Sequence, residues 1–323
     1  MVSLNEEIKE AYSRVAPHVR RTCLEHSPYY SKKTGAEVFF KSENLQHTGS
    51  FKLRGALNKI LSLSKEELAR GIVTASTGNH GAAVAYALRI AGASGTVYVP
   101  EGASESKLAN IRRLGAEIEV FGEDSNESER RARQVSEGSG AVYVSPYNDP
   151  LVVAGQGTVG LEMHEQLPDL EAVFVAVGGG GLISGAGGFL KSVSPGIRVV
   201  GCSPENSKVM EESVKAGRIL ELESFPTLSD GTAGGVDLDS ITFEMCREFV
   251  DEWVSVSEDE IRASLVEFID AEHRLIEGSA AVAIAAFLKT AENYREQKIG
   301  IVLCGGNIGT SVLKSVLAAD DAD

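Results

Sequence analysis

The chain has 323 residues and a formal net charge of −15, with 43% hydrophobic and 24% charged residues. That length suits one large or two medium domains, and the acidic balance leaves no basic stripe for nucleic acid and disfavours anionic membranes. The four cysteines, at 23, 202, 246 and 304, make no Cys-x-x-Cys pair, so reduced thiols are expected and a disulfide framework or structural zinc is not.

The first residues, Met1-Val-Ser-Leu-Asn-Glu-Glu, are polar and acidic and lack the basic and apolar regions of a signal peptide. No run of about 18 apolar residues reads as a membrane span. A cytoplasmic protein is the expectation. Strands are expected at 37–40, 71–75, 96–99, 118–121, 141–144, 172–177, 197–201 and 298–303. Helical patterns fall between them at 82–91, 106–114, 128–137, 159–166 and 260–272. Strand, helix, strand in repetition gives an α/β fold of open, twisted parallel sheets with helices on both faces. The last residues, 318–323, are small and acidic and are expected to fray. Ligands of such sheets sit at the carboxyl ends of the strands, so the loops there carry the chemistry.

The first of these loops is His47-Thr-Gly-Ser-Phe-Lys-Leu-Arg-Gly. Gly49 permits a tight turn, and Ser50 is expected to N-cap a helix running to about Leu63. Lys52 then lies in the first turn, facing the positive end of the helix dipole. Such a lysine is either a surface side chain reaching water or one whose ammonium form is destabilised so that the neutral amine can react. The loop by itself leaves both readings standing. The second loop is Ala75-Ser-Thr-Gly-Asn-His-Gly. Ser76, Thr77, Asn79 and His80 place several hydrogen-bonding groups on one turn at a helix N-terminus, where a carboxylate can be held. That is more polar chemistry than a cap requires, although His80 alone does not identify a general base.

The third loop is Val177-Gly-Gly-Gly-Gly-Leu-Ile-Ser-Gly. Consecutive glycines expose their amides directly ahead of a helix, which is a phosphate cradle. No start gives Gly-x-Gly-x-x-Gly, the next strand ends at Gly201-Cys202-Ser203 with no acidic residue placed for a ribose, and no Gly-Lys-Ser/Thr follows. A lone phosphate ester fits better than a dinucleotide or a nucleoside triphosphate. The fourth loop is Leu303-Cys-Gly-Gly-Asn-Ile-Gly. Cys304 reads as a buried core thiol or as a thiol facing a ring nitrogen, and the sequence does not separate the two.

Ser50-Phe-Lys-Leu-Arg-Gly-Ala, Ser76-Thr-Gly-Asn-His-Gly, Ala154-Gly-Gln-Gly-Thr, Gly178-Gly-Gly-Gly-Leu and Cys304-Gly-Gly-Asn occur in this order. In that order, over about 11–317, the chain resembles the fold-type-II pyridoxal-phosphate family of threonine/serine dehydratases and serine racemases, whose fold is of the tryptophan synthase β type. The resemblance implies a large domain, 1–65 with 149–323, interrupted by a small mobile domain at 66–148. It implies pyridoxal 5'-phosphate as cofactor, with Lys52 as the Schiff-base lysine and then the base on the substrate Cα proton. Phe51 would pack near the ring and Asn79 would bond its phenolic oxygen. Gly178, Gly179, Gly180, Gly181 and Leu182 would bind the phosphate through backbone amides. Glu277 would lie near the cofactor and Cys304 by the pyridine nitrogen. A neutral partner there weakens the electron sink and favours loss of a β-hydroxyl. Ser76, Thr77, Asn79 and His80 would grip the substrate carboxylate. A homodimer or homotetramer is also implied.

Three positions depart from the racemases of that family. Thr77 stands where they carry a serine opposite the lysine. Ser203 and Val209 stand where they place a Glu and an Asp for a divalent cation. Glu129 stands where they carry an arginine, with Arg130 adjacent. The sequence therefore supports neither a monovalent nor a divalent cation. It also stops without the long C-terminal regulatory region of biosynthetic threonine dehydratases, so feedback through such a region is not expected. The expected reaction is β-elimination, of L-threonine to 2-oxobutyrate and ammonia and of L-serine to pyruvate. The alternatives are a dehydratase of another β-hydroxy amino acid, such as hydroxyaspartate or a phenylserine, with Tyr147 shaping the side-chain pocket; a serine racemase; and a cofactor-carrying amino-acid sensor without turnover.

Overall fold

The computed structural model describes residues 3–320. Ten strands are present among them: β1 (Leu24–His26), β2 (Glu37–Lys41), β3 (Ile72–Ala75), β4 (Gly95–Val99), β5 (Glu117–Val120), β6 (Val142–Tyr143), β7 (Ala172–Ala176), β8 (Arg198–Pro204), β9 (Glu252–Val256) and β10 (Lys298–Val302). They form a six-stranded sheet in the order β1-β2-β10-β7-β8-β9 and a four-stranded sheet in the order β5-β4-β3-β6. Every pairing is parallel except that of β1 with β2. β7 reads Ala-Val-Phe-Val-Ala and is buried at all five positions. A continuous apolar run is what a strand covered on both faces requires. The helices Gly181–Val193 and Gly278–Thr290 both pack on it.

Eight strands lie where the β-branched runs predict them, with shifted ends. The strand expected at 71–75 begins at Ile72, because Gly71 turns the chain at φ 87°. The two strands that the sequence did not announce are edge strands. β1 is three residues long, and β9, Glu-Trp-Val-Ser-Val, is only partly buried. An edge strand lacks the unbroken apolar run that marks a central one. The helix expected at 159–166 begins at Pro150, where the Asp149 carboxylate accepts from Leu151 N at 2.8 Å and Val152 N at 3.2 Å. Three glycines, at 155, 157 and 160, lower its intrinsic helix propensity. Tertiary packing overrides that tendency, since all three are buried against neighbouring elements.

The six-stranded sheet encloses a core that includes Phe40, Phe174, Val200, Ile284 and Ile301. The four-stranded sheet shares its core with residues outside 66–148. Ile72, Val97, Val99 and Val144 cluster with Leu53, Leu57, Ile60 and Val152. The helix Lys52–Leu61, which packs on the helices Asn79–Ala91 and Pro150–Gln166, is thus tied to both sheets' surroundings. No helix among the described residues is long and apolar enough to cross a membrane.

Candidate active site

The helix that begins at Lys52 is positioned by a zipper between two loops. Phe51 N donates to Cys304 O at 3.1 Å, Gly306 N donates to Gly49 O at 2.9 Å, and Ser50 bridges Gly305. The zipper corrects the expected cap. Phe51, not Ser50, is the N-cap, and the helix ends at Leu61 instead of Leu63. The Ser50 backbone is held in the bridge to Gly305 instead. Lys52 is set beside Cys304, with its Nζ 2.9 Å from Pro146 O and 5.3 Å from the Phe51 ring centroid. Burial lowers the amine to a pKa of about 8, against the opposing pull of the Glu277 carboxylate. Burial also pushes the Cys304 thiol well above its ordinary range, and the Glu277 charge adds to it, so this thiol is neutral at physiological pH.

The tetraglycine loop follows β7. Gly180 is the N-cap of the helix Gly181–Val193, at φ 81°, and no side chain caps that helix. Its first-turn amides therefore have no intrahelical partner. The glycines are sterically required. A Cβ at Gly179 would lie 2.4 Å from Tyr147 Cδ1, and one at Gly178 would lie 2.8 Å from Thr232 O. Thr242 Oγ1 donates to Gly179 O at 2.6 Å and fixes the loop from behind. Free amides, a helix N-terminus and no acidic side chain in the loop fit a phosphate group.

The turn after β3 is built on the same plan with polar side chains added. Gly78 is the N-cap of the helix Asn79–Ala91, again without a side-chain cap, and Ser76 Oγ accepts from Gly78 N at 3.2 Å. Asn79 Nδ2 donates to both Glu277 oxygens, at 2.9 and 3.1 Å, while its Oδ1 accepts from Asn307 Nδ2 at 2.6 Å. Asn307 N also donates to Glu277 Oε2 at 3.0 Å. The His80 ring is buried, and its Nε2 lies 3.0 Å from Val144 O. Burial first, and then the nearby Lys52 charge, lowers its pKa to about 3. The ring is neutral, and since a carbonyl only accepts, Nε2 carries the proton. His80 thus offers the turn its backbone amide, while its imidazole is committed to Val144.

One cavity gathers Phe51, Lys52, Asn79, Gly178, Gly179, Gly180, Gly181, Leu182, Glu277 and Cys304, along with Tyr147. Every residue expected at the cofactor lines it. Ser76, Thr77 and His80 do not; they sit on the turn that continues from Asn79. Gly231, Thr232 and Ser279 also line it without having been singled out from the sequence. Ser229 Oγ and Thr232 Oγ1 are 2.5 Å apart, and Ser229 Oγ donates to Ser279 Oγ at 3.2 Å. The signal was the run Ser229-Asp-Gly-Thr-Ala-Gly-Gly, which follows no strand. A wider depression lies at the opposite, amino ends of β7 and β8, around 168–171 and 194–198. It has no glycine loop, and its surroundings carry no comparable chemistry. Ser203 and Val209 are both buried, and no group of three or more His, Cys, Asp or Glu side chains among the described residues could hold a metal.

The profile of the pyridoxal-phosphate dependent enzyme family matches residues 15–305. The L-threonine ammonia-lyase of Thermotoga maritima is 44% identical over 317 residues, which is 98% of this chain and 78% of that protein. The processed form of threonine deaminase isoform 2 from Solanum lycopersicum superposes with a TM-score of 0.93 at 33% identity, covering 98% of this chain and 92% of that one. Maize serine racemase superposes with a TM-score of 0.90 at 34% identity, covering 98% and 97%.

Proposed function

The chain belongs to the pyridoxal-phosphate dependent enzymes, and from that premise we propose that it deaminates L-threonine to 2-oxobutyrate and ammonia, and L-serine to pyruvate. The observation that carries this reading is Lys52. Its amine is lowered to about 8, in a cavity that is also lined by the glycine N-terminus of the helix Gly181–Val193. When bound, pyridoxal phosphate supplies an electron sink for charge developing at the substrate Cα.

The chain's own residues do the rest. The amides of Gly178 to Leu182 would hold the phosphate by hydrogen bonds and the helix dipole. Lys52 would be the amine that anchors the cofactor, and its neutral form, poised near working pH, would serve as the base for the substrate Cα proton. Phe51 would give the ring an apolar neighbour, and Asn79 would donate to its phenolic oxygen on releasing Glu277. The neutral Cys304 thiol would leave the ring nitrogen without a proton donor strong enough to charge it. The turn from Ser76 to His80 takes the substrate carboxylate on backbone amides and on the Ser76 and Thr77 hydroxyls. The proton would leave with the β-hydroxyl as water, and the released enamine would hydrolyse to the 2-oxo acid and ammonia.

Lys52 is the single cationic side chain among the described residues that line the cavity. That favours an uncharged substrate side chain over hydroxyaspartate, whose extra carboxylate would be buried unpaired. We take 66–148 as a small unit that opens and closes over the site. It shares an apolar core with the helix Lys52–Leu61 at one side, and at the site polar contacts join it to the rest, from Asn79 to Glu277 and from Arg133 to Asp237 at 2.9 Å. The polar contacts can break and re-form with each turnover. Four free thiols suit a reducing compartment such as the cytoplasm. Assembly as a homodimer or homotetramer is carried over from the family resemblance, and light scattering decides it.

Incubation with L-threonine, L-serine and hydroxyaspartate, with 2-oxo acids measured, tests the reading. Threonine should be the best of the three, and absence of oxo acid from all of them would overturn the lyase assignment. D-serine formed from L-serine would move it to a racemase. Lys52→Ala should abolish turnover together with the borohydride-reducible linkage.

A further inference from the structure

The motif Ala154-Gly-Gln-Gly-Thr does not reach the cavity, yet it packs directly beneath the helix of Lys52. A Cβ at Gly155 would lie 2.6 Å from Arg54 O and from Gly55 Cα, so the two helices cross backbone on backbone. Gln156 Oε1 accepts from Gly55 N at 3.2 Å. Thr158 Oγ1 accepts from Arg54 Nη1 at 3.2 Å and donates to Gly155 O at 2.6 Å. Glu162 receives both Arg54 Nη1 and Nη2, at 2.8 and 2.9 Å, and Glu43 receives Nε and Nη2, each at 2.8 Å. Lys41 Nζ completes the set at 2.5 Å from Glu162 Oε2. Lys41, Glu43, Arg54, Gln156, Thr158 and Glu162 are all 0% exposed.

Stability alone is a poor reason for this arrangement. Buried ion pairs of this kind gain little over an apolar core of the same shape. Gln156 Nε2 has no partner among the described residues, which is itself unfavourable in a core. What the set does achieve is geometric. Apart from the Thr158–Gly155 bond and the Lys41–Glu162 pair, every contact ends on Arg54 or Gly55, in the same helical turn as Lys52. Lysine has a long, rotatable stem, so the reach of its amine is defined only if its Cα is fixed. Proton transfer needs heavy atoms within about 2.6–3.2 Å, and a misplacement of about 1 Å costs about a hundredfold.

We infer that Gly155, Gln156, Thr158 and Glu162 are positioning residues for Lys52, gripping its helical turn from below so that the amine meets the cofactor and the substrate proton at one fixed place. This rests on the reading of Lys52 as the reacting lysine. The ion pairs themselves are unsuitable for a test, because removing one partner strands a buried charge and the protein can unfold.

Thr158→Val keeps the shape and removes the hydroxyl, Thr158→Ser keeps the hydroxyl, and Gln156→Met keeps the length and removes the acceptor. In the holoenzyme, Thr158→Val and Gln156→Met should lower kcat for L-threonine about tenfold and leave KM within about twofold. The fraction of cofactor fixed to Lys52 by a short borohydride pulse should fall in the same two variants. Thr158→Ser should restore both readouts. Should Thr158→Val fail to fold, Gln156→Met decides by the same measurements. A lowered thermal midpoint with unchanged kcat and unchanged trapping would make the motif merely structural and overturn the inference. So would a parallel rise of KM with loss of cofactor. Lys52→Ala, run alongside, separates the two failures: turnover surviving in that variant sinks the reading of Lys52, whereas its loss beside unaffected Thr158 and Gln156 variants sinks only the positioning role.

Discussion

Two strand-to-helix turns border the cavity, and they share a plan but not a foundation. Each ends a parallel strand, each is capped by a glycine, Gly180 or Gly78, and neither helix has a side-chain cap. Both therefore present unpaired amides to an anion. The tetraglycine turn rests on β7, which is fully buried between β10 and β8. Its glycines back onto Tyr147 and Thr232 with no room for a Cβ. The polar turn rests on β3, four residues long, one of whose neighbours is the two-residue β6. Space is open where a Cβ at Gly78 would point. A phosphate that stays bound calls for the first construction. A substrate carboxylate that must enter and leave in every cycle calls for the second.

The sharpest way to break this contrast is one substitution placed at both turns. Gly179→Ala is expected to have the largest effect. Its Cβ would meet the Tyr147 ring 2.4 Å away, so the ring or the loop must shift, and with it the amides proposed for the phosphate. Losing one or two charge-assisted hydrogen bonds costs about 1.5–3 kcal/mol, so cofactor affinity should fall about 10- to 100-fold. Equilibrium titration with pyridoxal phosphate measures it. Unchanged affinity would show that the cradle is more yielding than its packing indicates.

Lys52 sits between the two turns, and pH is the lever on it. Its folded pKa lies near 8, below the ordinary lysine value of 10.5, so the reactive neutral amine dominates above pH 8 and is lost below it. In cofactor-free protein, the rate of reloading with pyridoxal phosphate should rise through a midpoint near pH 8, falling about tenfold per pH unit below that. A midpoint near 10 would mean that the amine is solvated and that burial does not tune it. Stopped-flow absorbance across pH 6–10 distinguishes the two.

Much of this was legible in the sequence, for reasons that separate local from distant physics. β7 and the glycines after it announce themselves, since an apolar run followed by Gly-Gly-Gly-Gly has few structural solutions. Lys52 was ambiguous in its own loop and became clear only with the other motifs in order. The zipper of residues 49–51 with 304–306, which makes Phe51 the N-cap, joins segments far apart in the chain, and no local pattern encodes it. The same holds for Asn307, whose amide meets Asn79 Oδ1, and for Thr232, brought to the cavity by a segment without regular structure. His80 shows the converse. It is one of the hydrogen-bonding groups expected on the polar turn, and its ring turns inward to the Val144 carbonyl, an acceptor that only the fold supplies.

The smallest expected effect is the other half of the paired substitution. Gly78→Ala meets nothing within 4 Å, so no neighbouring group has to give way. The new methyl projects from the residue that caps the helix Asn79–Ala91, beside the amides proposed for the substrate carboxylate. Cofactor affinity should stay within about twofold of the parent, while KM for L-threonine rises a few-fold, the scale of about 1 kcal/mol from a weakened hydrogen bond. The separation of the two readouts matters more than their size. If Gly78→Ala loosens the cofactor as much as Gly179→Ala does, the two turns move as one body, and the division into a permanent anion site and an exchanging one is wrong. If it raises KM alone, the four-stranded sheet carries the exchanging site on a footing independent of β7, which is what a unit that opens and closes at every turnover requires.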